Sequence, residues 1–117
     1  MSKRTYGMLL SALLFATVGA TTPLMARDAA QVEQGAKVYT AQKCQMCHAI
    51  AGKGNKSNPL DGVGAKLSAD DIKQWITHPK EMTEKAKSTK KPPMPAKYAS
   101  LPAADLDALV AYLQSLK

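Results

Sequence analysis

Apolar side chains recur at helical spacing in three separate stretches of the chain. Over 29–43, Val32, Gly35, Ala36 and Tyr39 fall at i, i+3, i+4 and i+7, which predicts a helix with one apolar face. Gly35 within that face costs about 1 kcal/mol relative to Ala. A close approach by another backbone or ring explains such a glycine, with a plain weak spot as the alternative. A second helix is predicted from Ser68, where Ser68-Ala69-Asp70-Asp71 resembles a capping box and Leu67 and Ile72 are placed as a hydrophobic staple. Ile72, Trp75 and Ile76 form its apolar face and Pro79 stops it. The third helix runs from about Pro102 to Leu116, with Leu106, Leu109, Val110 and Leu113 on one face. Asp105 and Asp107 near its start and Lys117 at its end suit the helix dipole.

The intervening stretches break these periods. Residues 49–66 are punctuated by Gly52, Gly54, Asn55, Asn58, Pro59, Gly62 and Gly64, which predicts loop. Residues 80–99 are rich in lysine and end in Lys90-Lys91-Pro92-Pro93-Met94-Pro95. Three prolines around one methionine make a stiff, extended segment. No strand signal and no internal repeat is visible. An all-α domain is expected, ordered helix–loop–helix–loop–helix.

The N-terminus follows another pattern. Lys3 and Arg4 precede a mostly apolar run from Gly7 to Val18, and small residues follow at Val18-Gly19-Ala20 and Leu24-Met25-Ala26. This is the layout of a secretory signal peptide over residues 1–26, cleaved after Ala26 or else after Ala20. The run is short for a membrane span; an uncleaved signal anchor is the alternative. No cysteine lies near the cleavage region, which argues against a bacterial lipid anchor.

Composition sharpens the picture of what remains. The whole chain has 117 residues and a formal charge of +7, enough for one small domain and too little for a multidomain enzyme. Residues 27–117 carry 14 basic and 9 acidic side chains, or +5. Their core inventory is Trp75, Tyr39, Tyr98, Tyr112, fourteen Val, Leu or Ile residues and three Met. A domain so thinly supplied needs a staple: a disulfide, a metal or a cofactor.

The two cysteines narrow the choice. They stand in Cys44-Gln45-Met46-Cys47-His48. A disulfide there closes a tiny loop and adds little. The βαβ surroundings of a thioredoxin-like pair are missing. A zinc site lacks ligands, because His78 is the only spare histidine. C-x-x-C-H is the spacing of c-type haem attachment, in which two sulfurs reach one porphyrin and the next imidazole lies under the iron. An exported thiol pair stays open as the alternative.

The chain from residue 27 onward closely resembles the class I cytochrome c family, the small monohaem cytochromes with His/Met ligation. The likeness rests on Gly35 and Tyr39 leading into Cys44-Gln45-Met46-Cys47-His48, a loop with Pro59, a helix bearing Trp75, Met94-Pro95, and the last helix with Leu109-Val110-Ala111-Tyr112-Leu113. It implies a cytochrome c fold, three main helices and loops wrapped around one covalently attached haem c. Cys44 and Cys47 would form the thioethers, and His48 and Met94 would bind the iron. Pro59 looks like the loop proline whose carbonyl accepts the His48 Nδ1 proton, and Trp75 like the indole that meets a haem propionate. Gly35 and Tyr39 would cross the Tyr112 face of the last helix. Tyr39 lies five residues before Cys44, where four is common, so a bulge or an extra turn residue is expected. Among the other methionines, Met46 is pinned between the cysteines and Met82 lies in a charged, helix-compatible stretch. An open iron, or one bound by His78, is the alternative to Met94.

Filled axial positions leave no place for substrate, so the resemblance implies a one-electron carrier and not an enzyme. It is expected to be exported, periplasmic and monomeric, with no membrane span after cleavage and no role with nucleic acid. Lys85, Lys87, Lys90, Lys91 and Lys97 bracket Met94, and Lys43 and Lys53 bracket the cysteines. Placed around an exposed haem edge, they would steer acidic redox donors and acceptors; a merely soluble basic surface is the alternative. Two further readings are a haem subunit of a larger redox enzyme and a ligand-binding or peroxidatic haem protein with an open distal site.

Overall fold

The computed structural model describes residues 24–117 together with Gly19, and side chains from Asp28 onward. Lys3, Arg4 and the apolar run of the expected signal peptide lie outside the described residues. Helix α1 spans Leu24–Ala41 and α5 spans Ala103–Gln114. They cross at Gly35, where a Cβ would strike the Ala108 carbonyl and stand 2.6 Å from the Tyr112 Cβ. The glycine therefore lets two backbones touch, as the sequence suggested. Just beyond it, the Tyr39 and Tyr112 rings meet edge to face, with centroids 5.8 Å apart and planes at 65°.

Helix α3, Ala69–Thr77, starts at its expected cap. Ser68 Oγ accepts the Asp71 backbone N–H at 3.1 Å and donates its own proton to Asp71 Oδ2 at 2.9 Å. The shorter acid thus answers the cap hydroxyl, where a glutamate would reach the cap backbone N–H. Ile72 and Ile76 are buried, and Trp75 on the same face is half-buried.

Two expectations need correction. Pro79 ends α3 as expected, but the lysine-rich stretch after it is not loop throughout: Pro79 is the first residue of α4, Pro79–Lys85. Its locked φ suits a helix start, where the missing N–H costs nothing. The loop 49–66 also holds regular structure. Strands β1 (Ala49–Ile50) and β2 (Lys53–Gly54) pair antiparallel, and α2 occupies Val63–Lys66. Two-residue strands carry no alternation that a sequence pattern could reveal.

The core gathers Val38, Tyr39, Ile72, Ile76, Leu106, Leu109, Val110 and Leu113 from α1, α3 and α5. Among the described residues no side chain is completely buried. Leu60, Leu67, Met94, Tyr98 and Leu101 pack on this cluster while only half-buried. The C-terminus is latched onto α2: Gln114 Nε2 and Lys117 Nζ donate to the Gly64 carbonyl at 2.6 and 2.8 Å.

Burial pushes the Tyr39 phenol from its ordinary 10.0 up to about 12. The folded state therefore holds this proton more tightly than the unfolded chain does. Its contribution to stability is complete below pH 10 and is lost as pH rises toward 12. Chemical denaturation across that window should show a decline in stability that Tyr39→Phe flattens.

Candidate functional site: the Cys44–His48 turn

Helix α1 ends at Ala41, and the chain turns through Lys43 in the left-handed region, with φ 57°. Of the two alternatives that the spacing of Tyr39 and Cys44 left, a bulge or an extra turn residue, this is the turn residue. A single 3₁₀ turn, Cys44–Met46, follows. The Cys44 carbonyl accepts from the N–H groups of both Cys47 (3.1 Å) and His48 (2.9 Å). This folding sets Cys44, Cys47 and His48 on one compact turn. Both thiols are free, Cys44 half-buried and Cys47 exposed.

The following loop clamps this turn by its carbonyls. Asn55 N–H donates to Gln45 O (3.0 Å) and His48 O (3.1 Å), and its Nδ2 donates to Met46 O at 3.3 Å. Asn58 Nδ2 donates to Cys47 O at 3.2 Å. Gly54, at φ +105°, lies so close that a Cβ would strike the His48 carbonyl and approach Gln45 O to 2.8 Å. The sequence marked these positions only as loop punctuation. Their work is hydrogen bonding by Asn55 and Asn58 and close backbone approach at Gly54, which no local pattern signals.

His48 is half-buried, and its Nδ1 faces the Asn58 carbonyl at 3.2 Å. The expected acceptor, Pro59, is displaced by one residue. Ala49 donates to the same Asn58 carbonyl at 3.2 Å and accepts from Leu60 N–H at 2.8 Å, a parallel bridge that sets Asn58 and not Pro59 beside the ring. A carbonyl can only accept, so Nδ1 carries the proton and Nε2 is left as the free lone pair. Burial holds the imidazole below its usual range, against a smaller opposing pull from the Asn58 bond. A neutral ring with an available Nε2 is the form that binds metal. Burial likewise pushes the Cys44 thiol up.

Of the remaining candidates, scattered along the chain, only Met94 packs on the core. Met94 is half-buried on the apolar cluster that Cys44 also touches. Met82 is half-buried in α4, whereas Met46 is 69% exposed. His78 is exposed at the α3–α4 junction, its Nδ1 2.7 Å from Thr77 Oγ1. The Trp75 indole makes no hydrogen bond to protein among the described residues. Also among them, no group of three His, Cys, Asp or Glu is placed to hold a bare metal ion. The donor set fits haem instead: two thiols, one oriented imidazole and one thioether, around a core whose large apolar side chains stay partly uncovered.

Fold and site together define a small helical domain built to carry a prosthetic group on a C-x-x-C-H turn. A family model for cytochrome c matches residues 32–117, and the chain belongs to the cytochrome c family. It is similar to the cytochrome c oxidase subunit 2 of Alkalihalophilus pseudofirmus, 30% identical over 93 residues. That match covers 72% of this chain and 25% of the relative, so the chain spans about a quarter of the relative's length. No solved structure matches. The family carries haem c bound covalently through two cysteines, and Cys44 and Cys47 are the two cysteines of this chain. Proteins of this class transfer electrons, and c-type cytochromes are extracytoplasmic. No helix among the described residues is long and apolar enough to cross a membrane.

Proposed function

We propose that this protein is a periplasmic one-electron carrier between respiratory redox partners. Cys44 and Cys47 would hold the haem, with His48 and Met94 as its axial ligands. The observation that carries this reading is the His48 ring, oriented by Asn58 with Nε2 left free, on the turn that bears both thiols. When bound, haem supplies a one-electron iron couple. The chain's own residues do the rest. Asn58 fixes the tautomer and direction of the imidazole, and the clamp of Asn55 and Asn58 on the turn limits rearrangement. Pro93 and Pro95 stiffen the backbone on both sides of Met94, so little entropy remains to be lost when its thioether binds. The half-buried Trp75 indole is left free to donate to a propionate. A thioether ligand and apolar surroundings favour ferrous iron and raise the potential.

Met94→Ala tests the assignment. The midpoint potential should fall by on the order of a hundred millivolts or more, and the ferrous protein should bind carbon monoxide at neutral pH. An unchanged potential would exclude Met94 as ligand, and carbon monoxide binding by the unaltered protein would favour the open-site reading. The likeness to an oxidase subunit supports a second reading, a haem module held in a larger redox assembly. Native material that elutes as a lone monomer supports the free carrier, and co-elution with a terminal oxidase supports the module.

A further inference from the structure

Helix α2, Val63–Lys66, is a single turn and too short to hold itself. The carbonyls at its end lack partners within the helix, and α5 supplies them from outside. Gln114 Nε2 donates to Gly64 O at 2.6 Å and to Leu67 O at 3.3 Å, and Lys117 Nζ donates to Gly64 O at 2.8 Å. In return, Gly64 N–H donates to Leu116 O at 2.8 Å. Gly64 leaves no clearance, since a Cβ there would strike the Gln114 carbonyl. Gln114 is half-buried, at the end of a helix that otherwise turns Leu106, Leu109, Val110 and Leu113 inward. An apolar side chain of the same length would fill that place if packing were all it required. What the amide adds is its N–H donors, and they reach α2.

Hydrogen bonds run from α2 back to the cysteine turn. Leu67 N–H donates to Val63 O at 2.9 Å, and Val63 N–H to Leu60 O at 3.1 Å. Leu60 N–H donates to Ala49 O at 2.8 Å, and Ala49 N–H to Asn58 O at 3.2 Å. That same Asn58 carbonyl meets His48 Nδ1 at 3.2 Å. Beside this ladder, Asp61 Oδ1 accepts the Ala51 N–H at 2.8 Å. Residues 58–61 therefore lie along residues 48–51 at one end, while α5 holds their continuation in α2 at the other. Both bonds to the Asn58 carbonyl are longer than the usual N–H···O distance of about 2.9–3.0 Å, so a small retreat of the strip would lose them.

We propose that Gln114 is a positioning residue for His48: by anchoring α2 to α5 it keeps the Asn58 carbonyl on the imidazole and sets how strongly the Nδ1 proton is held. This role rests on the carrier reading, in which His48 binds the iron. An acceptor on the far nitrogen makes a ligating imidazole more basic, and a more basic ligand favours ferric iron and lowers the potential. Loss of the Gln114 donors therefore raises the potential, opposite in sign to loss of Met94.

The test uses the haem-loaded protein, with exchange of the His48 Nδ1 proton followed by NMR in the reduced form and the midpoint potential by voltammetry. Gln114→Met keeps the length of the side chain and removes its donors. It should speed Nδ1 proton exchange about fivefold, the effect of one ordinary hydrogen bond, and move the potential upward. Lys117→Met removes only the outer donor at Gly64 O and is the milder variant should Gln114→Met not fold; it should speed exchange about twofold. Ser115→Ala removes a neighbouring bond, Ser115 Oγ to Tyr112 O at 2.6 Å, that does not reach α2, and should change neither readout. Unchanged exchange in folded Gln114→Met overturns the proposal, as do equal changes in Ser115→Ala. If Gln114→Met does not fold, unchanged exchange in Lys117→Met overturns it. Faster exchange without an upward shift in potential reduces Gln114 to a structural role and overturns it too, where the haem ring current shifts the His48 ring protons. Where those protons are unshifted in the unaltered protein, His48 is no ligand and the carrier reading falls instead.

Discussion

The Cys44→Ala/Cys47→Ala double variant is expected to lose its haem and, with it, its cooperative fold. The core of the described residues holds Val38, Tyr39, Ala49, Ile72, Ile76, Leu106, Ala108, Leu109, Val110 and Leu113, each still 2–8% exposed. Each ordered residue costs about 1–2 kcal/mol of backbone entropy. A domain of roughly 90 residues offsets that only with a well-filled interior. Here Met94, Leu60, Leu67 and Leu101 surround the core half-exposed, and apolar surface left in water contributes nothing at about 25 cal/mol per Å². A porphyrin tied to the turn would cover it. The double variant should therefore have the mass of the bare polypeptide, weak helical circular dichroism and no sigmoidal thermal transition. A cooperatively folded bare chain would show that the side chains suffice and would remove the haem from the core.

Gly35→Ala should be the most damaging change that leaves the haem chemistry untouched. The added methyl would land on the Ala108 carbonyl and within 2.6 Å of the Tyr112 Cβ, both parts of a helix and unable to swing aside. Helix propensity alone favours Ala by about 1 kcal/mol. Overpacking costs about 1–3 kcal/mol and more where backbone must move, so the net loss should be about 2 kcal/mol. Separating α1 from α5 would also break the edge-to-face contact of Tyr39 with Tyr112. Gly52→Ala is the informative contrast. That glycine has φ +76° but open space around it, so only the left-handed strain of about 1–2 kcal/mol applies. Urea midpoints of the two haem-loaded variants should rank Gly35→Ala below Gly52→Ala. The reverse order would mean that the helices part easily and that the crossing is not a rigid contact.

Much of the fold was legible because the relevant signals are local. The helical periods of α1, α3 and α5 are written in spacing, and the Ser68 cap in one tetrapeptide. Gly35 announced a close approach through its cost, although the partner, the Ala108 carbonyl, was not visible. Pro79 was ambiguous by nature, since one ring can end a helix and start the next. The hairpin of β1 and β2 was hidden by its brevity.

The site divides along the same line. Residue order alone determined that two thiols and an imidazole share one turn, that a stiffened methionine follows, and that the interior is thinly supplied with apolar side chains. Covalent spacing and composition act before any folding, which is why a bare chain can disclose them. Only the tertiary structure decided that Asn58, one residue before Pro59, meets the His48 ring. It alone showed that Asn55 and Asn58 hold the turn by its carbonyls, and that Met46, between the two cysteines, stands uncovered. Those facts depend on which carbonyl and which side chain arrive at the same point in space. That arrival is set by packing between segments distant in the chain, and no local pattern encodes it.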